Sequence, residues 1–164
     1  MSSVHPLPPQ AEIARDPSPQ LRAVLRWFDA LVEHDVEMLK DVLTEDYVHP
    51  MHPRSLGLQT YDRVGFLEFA RKILMPFLTK YEYSIIDVVE TSDRVVVHTY
   101  ANGTTSTGYS YSSELLLMAH VVLQLDGEYK IKTLKEFVDP GMIISGFFAE
   151  ELKRVAELEL SGDE

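Results

Sequence analysis

Two histidines stand close together in the segment YVHPMHPRSLG, which covers residues 47–57. His49 and His52 are three residues apart, and two imidazoles at such a spacing can bind zinc. The prolines around them oppose a helix and no carboxylate follows at an established ligand spacing, so we expect no metal here. An imidazole can instead donate a proton or hold a substrate carbonyl. We therefore predict a catalytic role for His49, with a hydrogen-bonded structural histidine as the alternative.

A second group of polar side chains is predicted on a strand rich in valine. His98, Tyr100 and Asn102 are two residues apart, so they share one face of that strand. His98 and Tyr100 are candidates for the wall of a pocket. A solvated or hydrogen-bonded stripe remains the other interpretation, because buried imidazoles and phenols also serve as structural donors.

The next predicted strand is apolar on both faces, which is unusual for a sheet with one side in water. One face is expected to line a pocket, and the other to pack against a helix or a second subunit. His120 and Met118 share one of these faces and are candidates for the pocket wall. That face carries Glu114, Leu116, Met118, His120 and Val122, and the opposite face carries Leu115, Leu117, Ala119, Val121 and Leu123.

Helical patterns precede the strands along the chain. Five prolines fall within the first 19 residues, so residues 1–17 are predicted to be a disordered arm, and residues 18–160 a single domain with a C-terminal helix. Ser18 is predicted to cap the first helix, Thr60 to cap the third, and Asp139 to open the last, with Phe147, Phe148, Leu152 and Val155 on its apolar side.

From residue 81 the hydrophobic period changes to two. Segments 81–89 and 95–100 are predicted to form a hairpin that turns at residues 91–93, and segments 114–125 and 129–138 a second hairpin at Asp126-Gly127. Segment 101–113 is predicted as strand ends or as a flap over a cavity. Helices followed by strands predict an α+β domain, in which a curved antiparallel sheet wraps around a helix.

Composition limits the partners. The 164 residues include 15 basic and 26 acidic side chains, which gives a net charge of −11. This charge repels phosphate backbones and anionic lipids, so neither nucleic acid nor a membrane is an expected partner. The chain has no cysteine and therefore no disulfide or thiolate metal site. No secretory signal or apolar span is apparent in the sequence, and a cytoplasmic location is the expectation.

Several of these residues together resemble the SnoaL-like branch of the nuclear-transport-factor-2-like superfamily, and most of all its fungal isomerases and cyclases of terpenoid pathways. The resemblance covers roughly residues 19–150 and implies a cone-shaped half-barrel, in which a curved sheet encloses a pocket for a small apolar molecule, with neither metal nor cofactor. The matching residues are His49, Pro53, Ser55, Leu56, Gly57, Ser113, Glu114, Glu136, Phe137, Val138 and Asp139.

The resemblance also implies roles for particular residues. Asp139 matches an aspartate that the family places at the end of the last strand, facing the cavity, and it becomes the leading candidate base; a helix cap is the alternative. Glu114 matches the glutamate that opens a late strand and is a further catalytic candidate, with a salt bridge as the alternative. The aromatic candidates for substrate binding are Trp27, Phe28, Tyr61 and Phe137, with the protein core as the alternative for Trp27 and Phe28.

The sequence thus predicts an isomerase, cyclase or dehydratase without a cofactor, which moves a proton at a carbon next to a carbonyl. In this hypothesis Asp139 takes the proton, and His49, His98 or His120 polarises the oxygen. The first alternative is a noncatalytic protein that binds a hydrophobic metabolite, and the second is a dimerisation scaffold with a filled interior. In each case we expect a homodimer, because one apolar face of the sheet would otherwise be exposed.

Overall fold

The computed structural model describes residues 4–142, residue 146 and residues 148–161. Along the chain, helices lie before, between and after the seven strands of a single sheet. The helices are α1 (Pro19–Glu33), α2 (Val36–Asp41), α3 (Arg63–Phe69), α4 (Met75–Phe77), α5 (Pro140–Met142) and α6 (Ala149–Ser161). The strands are β1 (Leu43–His49), β2 (Met51–His52), β3 (Tyr61–Asp62), β4 (Leu78–Glu90), β5 (Arg94–Thr105), β6 (Ser110–Leu123) and β7 (Tyr129–Phe137).

Helix α1 begins where the sequence predicts it. The Ser18 side chain accepts a hydrogen bond from the backbone N–H of Leu21 at 3.0 Å, and Pro19 occupies the first helical position. The helix ends at His34, which adopts the left-handed conformation with φ of 55°. One face of α1 is buried under the sheet, and its fully buried side chains include Leu21, Val24 and Phe28.

Helix α3 begins later than the sequence predicts. Asp62, not Thr60, is its cap, because the Asp62 carboxylate accepts a hydrogen bond from the N–H of Gly65 at 2.7 Å. Residues 61 and 62 are held in an extended conformation by pairing with β1. The helix continues through a π-helical turn at Ala70–Leu74 into α4, and the three segments form one helical stretch.

The sheet has the strand order β3-β1-β7-β6-β5-β4, with β2 also paired to β7, and it does not close into a barrel. Strands β4 to β7 form the two predicted hairpins and pair antiparallel throughout. Gly127 in the second turn has φ of 87°, a conformation that glycine adopts without strain. Segment 101–113 consists of the ends of β5 and β6 with a short turn between them.

Strands β1 and β2 add a feature that the sequence analysis did not predict. Both run parallel to β7, with Leu43 opposite Ile131 in the first pairing and Met51 opposite Glu136 in the second. The sheet is therefore mixed, although its long strands are antiparallel. A curved, open sheet against helices is the predicted α+β cone, so the fold class is confirmed.

The two faces of β6 have separate environments. Leu117, Ala119 and Val121 are at most 1% exposed and pack in the core under the helices. Leu116 and Met118 on the opposite face are each 39% exposed. The concave inner face of the sheet thus holds the core, and the outer face carries an uncovered apolar area.

Residues 4–17 of the N-terminal arm make hydrogen bonds with the sheet, and the predicted disorder of the arm stays a prediction. Prolines exclude helix and ladder strand from residues 4–10, but polar atoms of the arm find partners on the sheet. The Asn102 amide donates to the backbone oxygen of His5 at 2.9 Å, and Ser84 Oγ donates to that of Pro8 at 2.6 Å. The N–H of Ala11 donates to Ile85 O at 2.8 Å, beside the bulge in β4.

The described residues of the C-terminal segment are helical from Pro140 to Met142 and from Ala149 to Ser161, with residues 146 and 148 in π-helical conformation between them. Asp139 opens the short helix α5, and α6 follows from Ala149. Leu152 and Val155 are 72% and 40% exposed, so the predicted apolar side of α6 is not buried by the described residues. Phe147, predicted on the same side, lies outside those residues. Within the described ranges, no helix is long and apolar enough to cross a membrane.

Candidate active site

A cavity of about 400 Å³ lies between the inner face of the sheet and the helices. This volume is within the range of pockets that bind small molecules. Most of the wall is apolar, with Leu31, Phe66, Leu78 and Leu115 among its residues. The polar side chains on the wall are His49, Gln59, Tyr61, Tyr81, Tyr111, Ser113 and Glu136. The interior is therefore not filled, as a pure scaffold would require.

The parallel pairing of β2 with β7 brings His49 next to Glu136. The backbone N–H of Glu136 donates to the carbonyl of Pro50 at 3.1 Å, and Met51 lies opposite Glu136 in the register. Tyr47 and His49 alternate on the buried face of β1, while Val48 between them is exposed. Two residues far apart in sequence thus face the same end of the cavity.

His49 links a carboxylate and a phenol. Its Nε2 lies 3.0 Å from Glu136 Oε2, and its Nδ1 lies 2.7 Å from the Tyr47 hydroxyl. The His49 side chain is 1% exposed, and that of Glu136 is 17% exposed. No described residue hydrogen-bonds to Glu136 Oε1. The carboxylate therefore has one oxygen held by the protein and one available to a ligand in the cavity.

The burial of Tyr47 decides which atoms of Tyr47, His49 and Glu136 carry protons. Burial raises the pKa of the Tyr47 phenol well above its usual value, and the negative charge of Glu136 raises that pKa further. Tyr47 therefore keeps its proton and can donate it to Nδ1 of His49. The remaining imidazole proton is then on Nε2, from which it is donated to Glu136.

Aromatic rings fix the plane of the His49 imidazole. Phe66 stacks on it with ring centroids 4.3 Å apart and an angle of 20°, and Trp27 lies near parallel with its centroid 6.2 Å away. Phe66 and Trp27 also pack against each other. The imidazole can thus turn little without disturbing the core, and both of its hydrogen bonds keep their directions.

Two further phenols lie on the wall. Burial raises the pKa of Tyr81 well above its usual value, and Tyr111 and Glu136 add to that effect. Burial, followed by the charge of Glu136, also raises the pKa of Tyr111. Neither hydroxyl has a hydrogen-bond partner among the described residues. Both remain protonated donors at neutral pH.

Three of the predicted site residues line the cavity, namely His49, Trp27 and Tyr61. Phe28 is fully buried in the core and does not reach the wall. The Trp27 indole nitrogen is buried and has no hydrogen-bond partner within the described part of the chain.

The remaining strand candidates lie on the outer face of the sheet, away from the cavity. The alternation of β5 and β6 turns them outward, because Thr99, Leu115 and Leu117 occupy the inner positions. His98 pairs with Glu114, and His120 lies 3.7 Å from Asp93. The candidates placed on this face are His98, Tyr100, Glu114, Met118 and His120.

Asp139 and Phe137 are also outside the cavity wall. Asp139 is exposed, and its Oδ1 accepts a hydrogen bond from the N–H of Gly141 at 2.8 Å, as expected of a helix cap. Phe137 stacks on His52 with ring centroids 4.5 Å apart. Strand alternation explains both positions, since the neighbours Glu136 and Val138 are the residues that point inward.

His49 and His52 do not converge. His49 faces the cavity, while His52 packs against Phe137. In the described ranges, no group of three or more histidine, aspartate or glutamate side chains could hold a metal ion.

Glu136, Tyr81 and Tyr111 line the cavity but are not among the site residues predicted from the sequence. A signal was present for Glu136, because it alternates with Leu134 and Val138 on the last strand and is thus a charge on an apolar face. No such signal marked the tyrosines, because tyrosine is common on the inner face of any sheet.

The chain belongs to the SnoaL-like domain family, which matches residues 24–133. Among curated proteins, none matches it in sequence. Solved structures nevertheless share its fold at low sequence identity. Likeness at this level establishes the architecture, and the site must be argued from its own residues.

Three such structures illustrate the range. BvnE pinacolase from Penicillium brevicompactum is 20% identical, with a TM-score of 0.67 over 84% of this chain and 96% of that one. AusH from Aspergillus nidulans is 19% identical, with a TM-score of 0.62 over 81% and 88%. A type 2 hexachlorocyclohexane dehydrochlorinase, LinA, is 14% identical, with a TM-score of 0.61 over 77% and 85%.

Proposed function

We propose that this protein is a cofactor-free acid–base enzyme that acts on a small hydrophobic molecule, and that Glu136 is its base. One observation carries the proposal: Glu136 is the carboxylate on the wall of an apolar cavity, and His49 holds one of its two oxygens. A carboxylate with a free oxygen can accept a proton from a bound substrate.

The proposed reaction begins with a C–H bond next to a carbonyl. Glu136 Oε1 takes the proton, and the C–H electron pair moves into an enol or enolate. Return of the proton to another carbon gives an isomer, loss of a leaving group gives an elimination product, and attack on an electrophilic carbon closes a ring. No electron is gained or lost overall, so the sequence needs no redox cofactor.

His49 is proposed to act through Glu136. Its Nε2 proton would be donated to Oε2, which orients the carboxylate and stabilises its charge. Tyr47 would fix the tautomer of His49 through the bond to Nδ1. Tyr47 is thus a positioning residue, and Glu136 is the group that touches the substrate.

The base is assigned to Glu136 in preference to Asp139. The Asp139 carboxylate caps α5 at an exposed position, while Glu136 lines the cavity. The same reason removes Glu114, His98 and His120 from the proposed mechanism, since they are on the outer face of the sheet. Of the sequence candidates, His49 becomes a positioning residue for Glu136, and Trp27 and Tyr61 stay candidates for contact with the substrate.

The solved relatives support a proton-transfer enzyme without fixing its reaction. One is named a pinacolase and another a dehydrochlorinase, and both share the fold of this chain. A fold that hosts several reactions leaves the choice to the residues on the cavity wall. A noncatalytic binding protein for a hydrophobic metabolite is the alternative, favoured by the mostly apolar wall.

An experiment that does not require the natural substrate distinguishes the enzyme from the noncatalytic binding protein. The protein is incubated in D₂O with a panel of cyclic and aryl ketones of graded size, and proton NMR follows the exchange of hydrogens next to the carbonyl. An enzyme should speed exchange by at least about 100-fold over buffer for the ketones that bind, as expected of a general base. Binding of ketones without faster exchange would establish the alternative, and failure of every ketone to exchange would overturn the proposed reaction.

We also propose a homodimer formed through the outer face of the sheet. Leu116 and Met118 are each 39% exposed there, and Val89 on the edge hairpin is 62% exposed. A contiguous apolar area on a sheet is a common site of subunit contact. The predicted cytoplasmic location stays a prediction.

A further inference from the structure

Two phenols on the cavity wall come from separate strands of the sheet. Tyr81 on β4 and Tyr111 on β6 both line the wall, and neither hydroxyl hydrogen-bonds to a described residue. The side chains are 8% and 6% exposed, so they have little access to bulk water. A phenol on a cavity wall that no described residue engages can donate a hydrogen bond to a bound ligand.

The register of the sheet places the two tyrosines on the strands that flank β5, both opposite the same glycine of β5. Tyr81 lies opposite Gly103 on β5, and Gly103 lies opposite Tyr111 on β6. A β-carbon on Gly103 would be 2.5 Å from both Cζ and the hydroxyl oxygen of Tyr111. The tip of the Tyr111 ring therefore occupies the space above Gly103, on the side of Tyr81.

Both phenols are hydrogen-bond donors, because a tyrosine hydroxyl is protonated at neutral pH. Burial raises the pKa of each further, and the negative charge of Glu136 adds to that effect. Each hydroxyl therefore keeps its proton at neutral pH, and each can donate to an oxygen of a ligand. Since Glu136 comes from β7 and the phenols from β4 and β6, one cavity presents an acceptor and two donors from separate parts of its wall.

We propose that Tyr81 and Tyr111 form the site for the substrate's oxygen atom. This inference rests on the proposed function and deepens it by naming the substrate class. The substrate is an uncharged apolar compound with a ketone, aldehyde or enol oxygen, bound with that oxygen at the two phenols and the acidic C–H towards Glu136. Carboxylates and phosphates are excluded as substrates, because Glu136 repels them.

The pair also contributes to the reaction itself. When Glu136 takes the proton, negative charge moves onto the substrate's oxygen. Two phenol donors near that oxygen would stabilise the charge with little reorganisation of water. A phenol suits this position because it donates without giving up its proton to a carbonyl oxygen.

The test uses 4-nitrophenol, whose anion imitates an enolate oxygen and absorbs visible light. The probe is titrated into Glu136→Gln protein, in which the repelling charge is absent. We expect the anion to bind, and Tyr81→Phe or Tyr111→Phe in the same background to weaken binding by about tenfold or more, the loss of one charged hydrogen bond. The same Tyr81→Phe and Tyr111→Phe substitutions should weaken the binding of 4-nitroanisole, which cannot ionise, clearly less.

Tyr83→Phe is the matched control. Tyr83 also carries a partly buried phenol, but it donates to Asp29 at 2.7 Å and does not line the cavity. Its removal should leave the affinity for 4-nitrophenol within about twofold, less than the energy of one hydrogen bond. Urea unfolding of each variant verifies that it is folded, and phenylalanine keeps the ring that packs.

Equal affinity of the Tyr81→Phe, Tyr111→Phe and Tyr83→Phe proteins would overturn the inference, as would no binding of the probe to Glu136→Gln. These outcomes differ from failure of the proposed function. If ketone exchange is catalysed but neither Tyr81→Phe nor Tyr111→Phe changes the affinity for the probe, only the oxygen site is wrong. If the phenols hold the probe but no ketone exchanges, the oxygen site stands and the enzyme proposal fails.

Discussion

His49 Nε2 lies 3.0 Å from Glu136 Oε2, although 87 residues separate them in the chain. The contact exists because β1 and β2 run parallel to β7 at one end of the sheet. Behind the imidazole, the Tyr47 hydroxyl lies 2.7 Å from Nδ1. A buried phenol, an imidazole and a carboxylate thus form one line that ends in the cavity, and most of the predictions below concern that line.

The first prediction concerns Tyr47→Phe, which removes the hydroxyl behind His49. Loss of this buried hydrogen bond should cost about 1 kcal/mol of unfolding free energy. It should also slow ketone exchange by roughly tenfold, the factor that corresponds to about 1.4 kcal/mol, through the maximal rate and not through ketone affinity. Urea unfolding and exchange NMR measure the two effects.

Tyr83→Phe is the control, because it removes a phenol bonded to Asp29 outside the cavity. A comparable loss of stability with an unchanged exchange rate is expected. If both variants slow exchange equally, Tyr47 has only a structural role.

The second prediction concerns stability at alkaline pH. Burial raises the pKa values of Tyr47 and Tyr81 above the usual value of 10.0. Below pH 10 the phenols are protonated in the folded and unfolded chains alike, and their contribution to stability is fully present. Above it the unfolded chain releases protons that the folded chain retains, so stability falls as pH rises, by up to about 1.4 kcal/mol per pH unit for each tyrosine.

Urea unfolding at several pH values between neutral and strongly alkaline checks this dependence. The Tyr47→Phe protein should show a slope smaller than that of the wild type by the contribution of one tyrosine. Parallel curves for the two proteins would contradict the raised pKa of Tyr47.

The third prediction concerns Gly103. In Gly103→Ala the new methyl group would lie 2.5 Å from the tip of the Tyr111 ring, so the ring must shift into the cavity. The variant should be less stable by about 1–3 kcal/mol and should bind bulky ketones less well. A Tyr111→Leu background removes the ring tip, and there the same substitution should cost clearly less. Additive costs in urea unfolding would show that the ring is not the obstacle.

The fourth prediction concerns the proposed homodimer. Sedimentation at micromolar concentration should show a species of about twice the 18.7 kDa chain mass. Met118→Lys on the outer sheet face should shift it to a single chain, because a charge would be buried in the contact. Leu152→Lys, on the exposed side of α6, is the control and should leave the dimer intact. A single-chain mass for the wild type would contradict the proposal.

The sequence predicted the architecture because the architecture depends on local patterns. Ser18-Pro19 marks the start of α1, and the alternation around Asp126-Gly127 marks the second hairpin. The parallel pairing of β1 with β7 has no local signal, because it joins segments that are distant in the chain. For that reason the contact of His49 with Glu136 has no signal in the sequence, which predicts Asp139 as the base instead.

The same limit applies to the faces of the strands. Both sides of β6 are apolar, so alternation alone cannot tell which side is the inner one. Only the packing of α1 decides that Leu117 faces the core and Met118 faces outward. The sequence predicts His98, Glu114 and His120 as site residues, whereas the structure places them on the outer face of the sheet, away from the cavity wall.

The most direct test compares two carboxylates that are three residues apart. Glu136→Gln and Asp139→Asn each replace an acid by its amide, which keeps the shape of the side chain and, at Asp139, the cap of α5. Exchange of hydrogens next to the carbonyl is measured for the best ketone of the panel. We predict a loss of at least about 100-fold for Glu136→Gln and less than about twofold for Asp139→Asn. Undiminished exchange by Glu136→Gln, or a large loss in Asp139→Asn alone, would contradict Glu136 as the base.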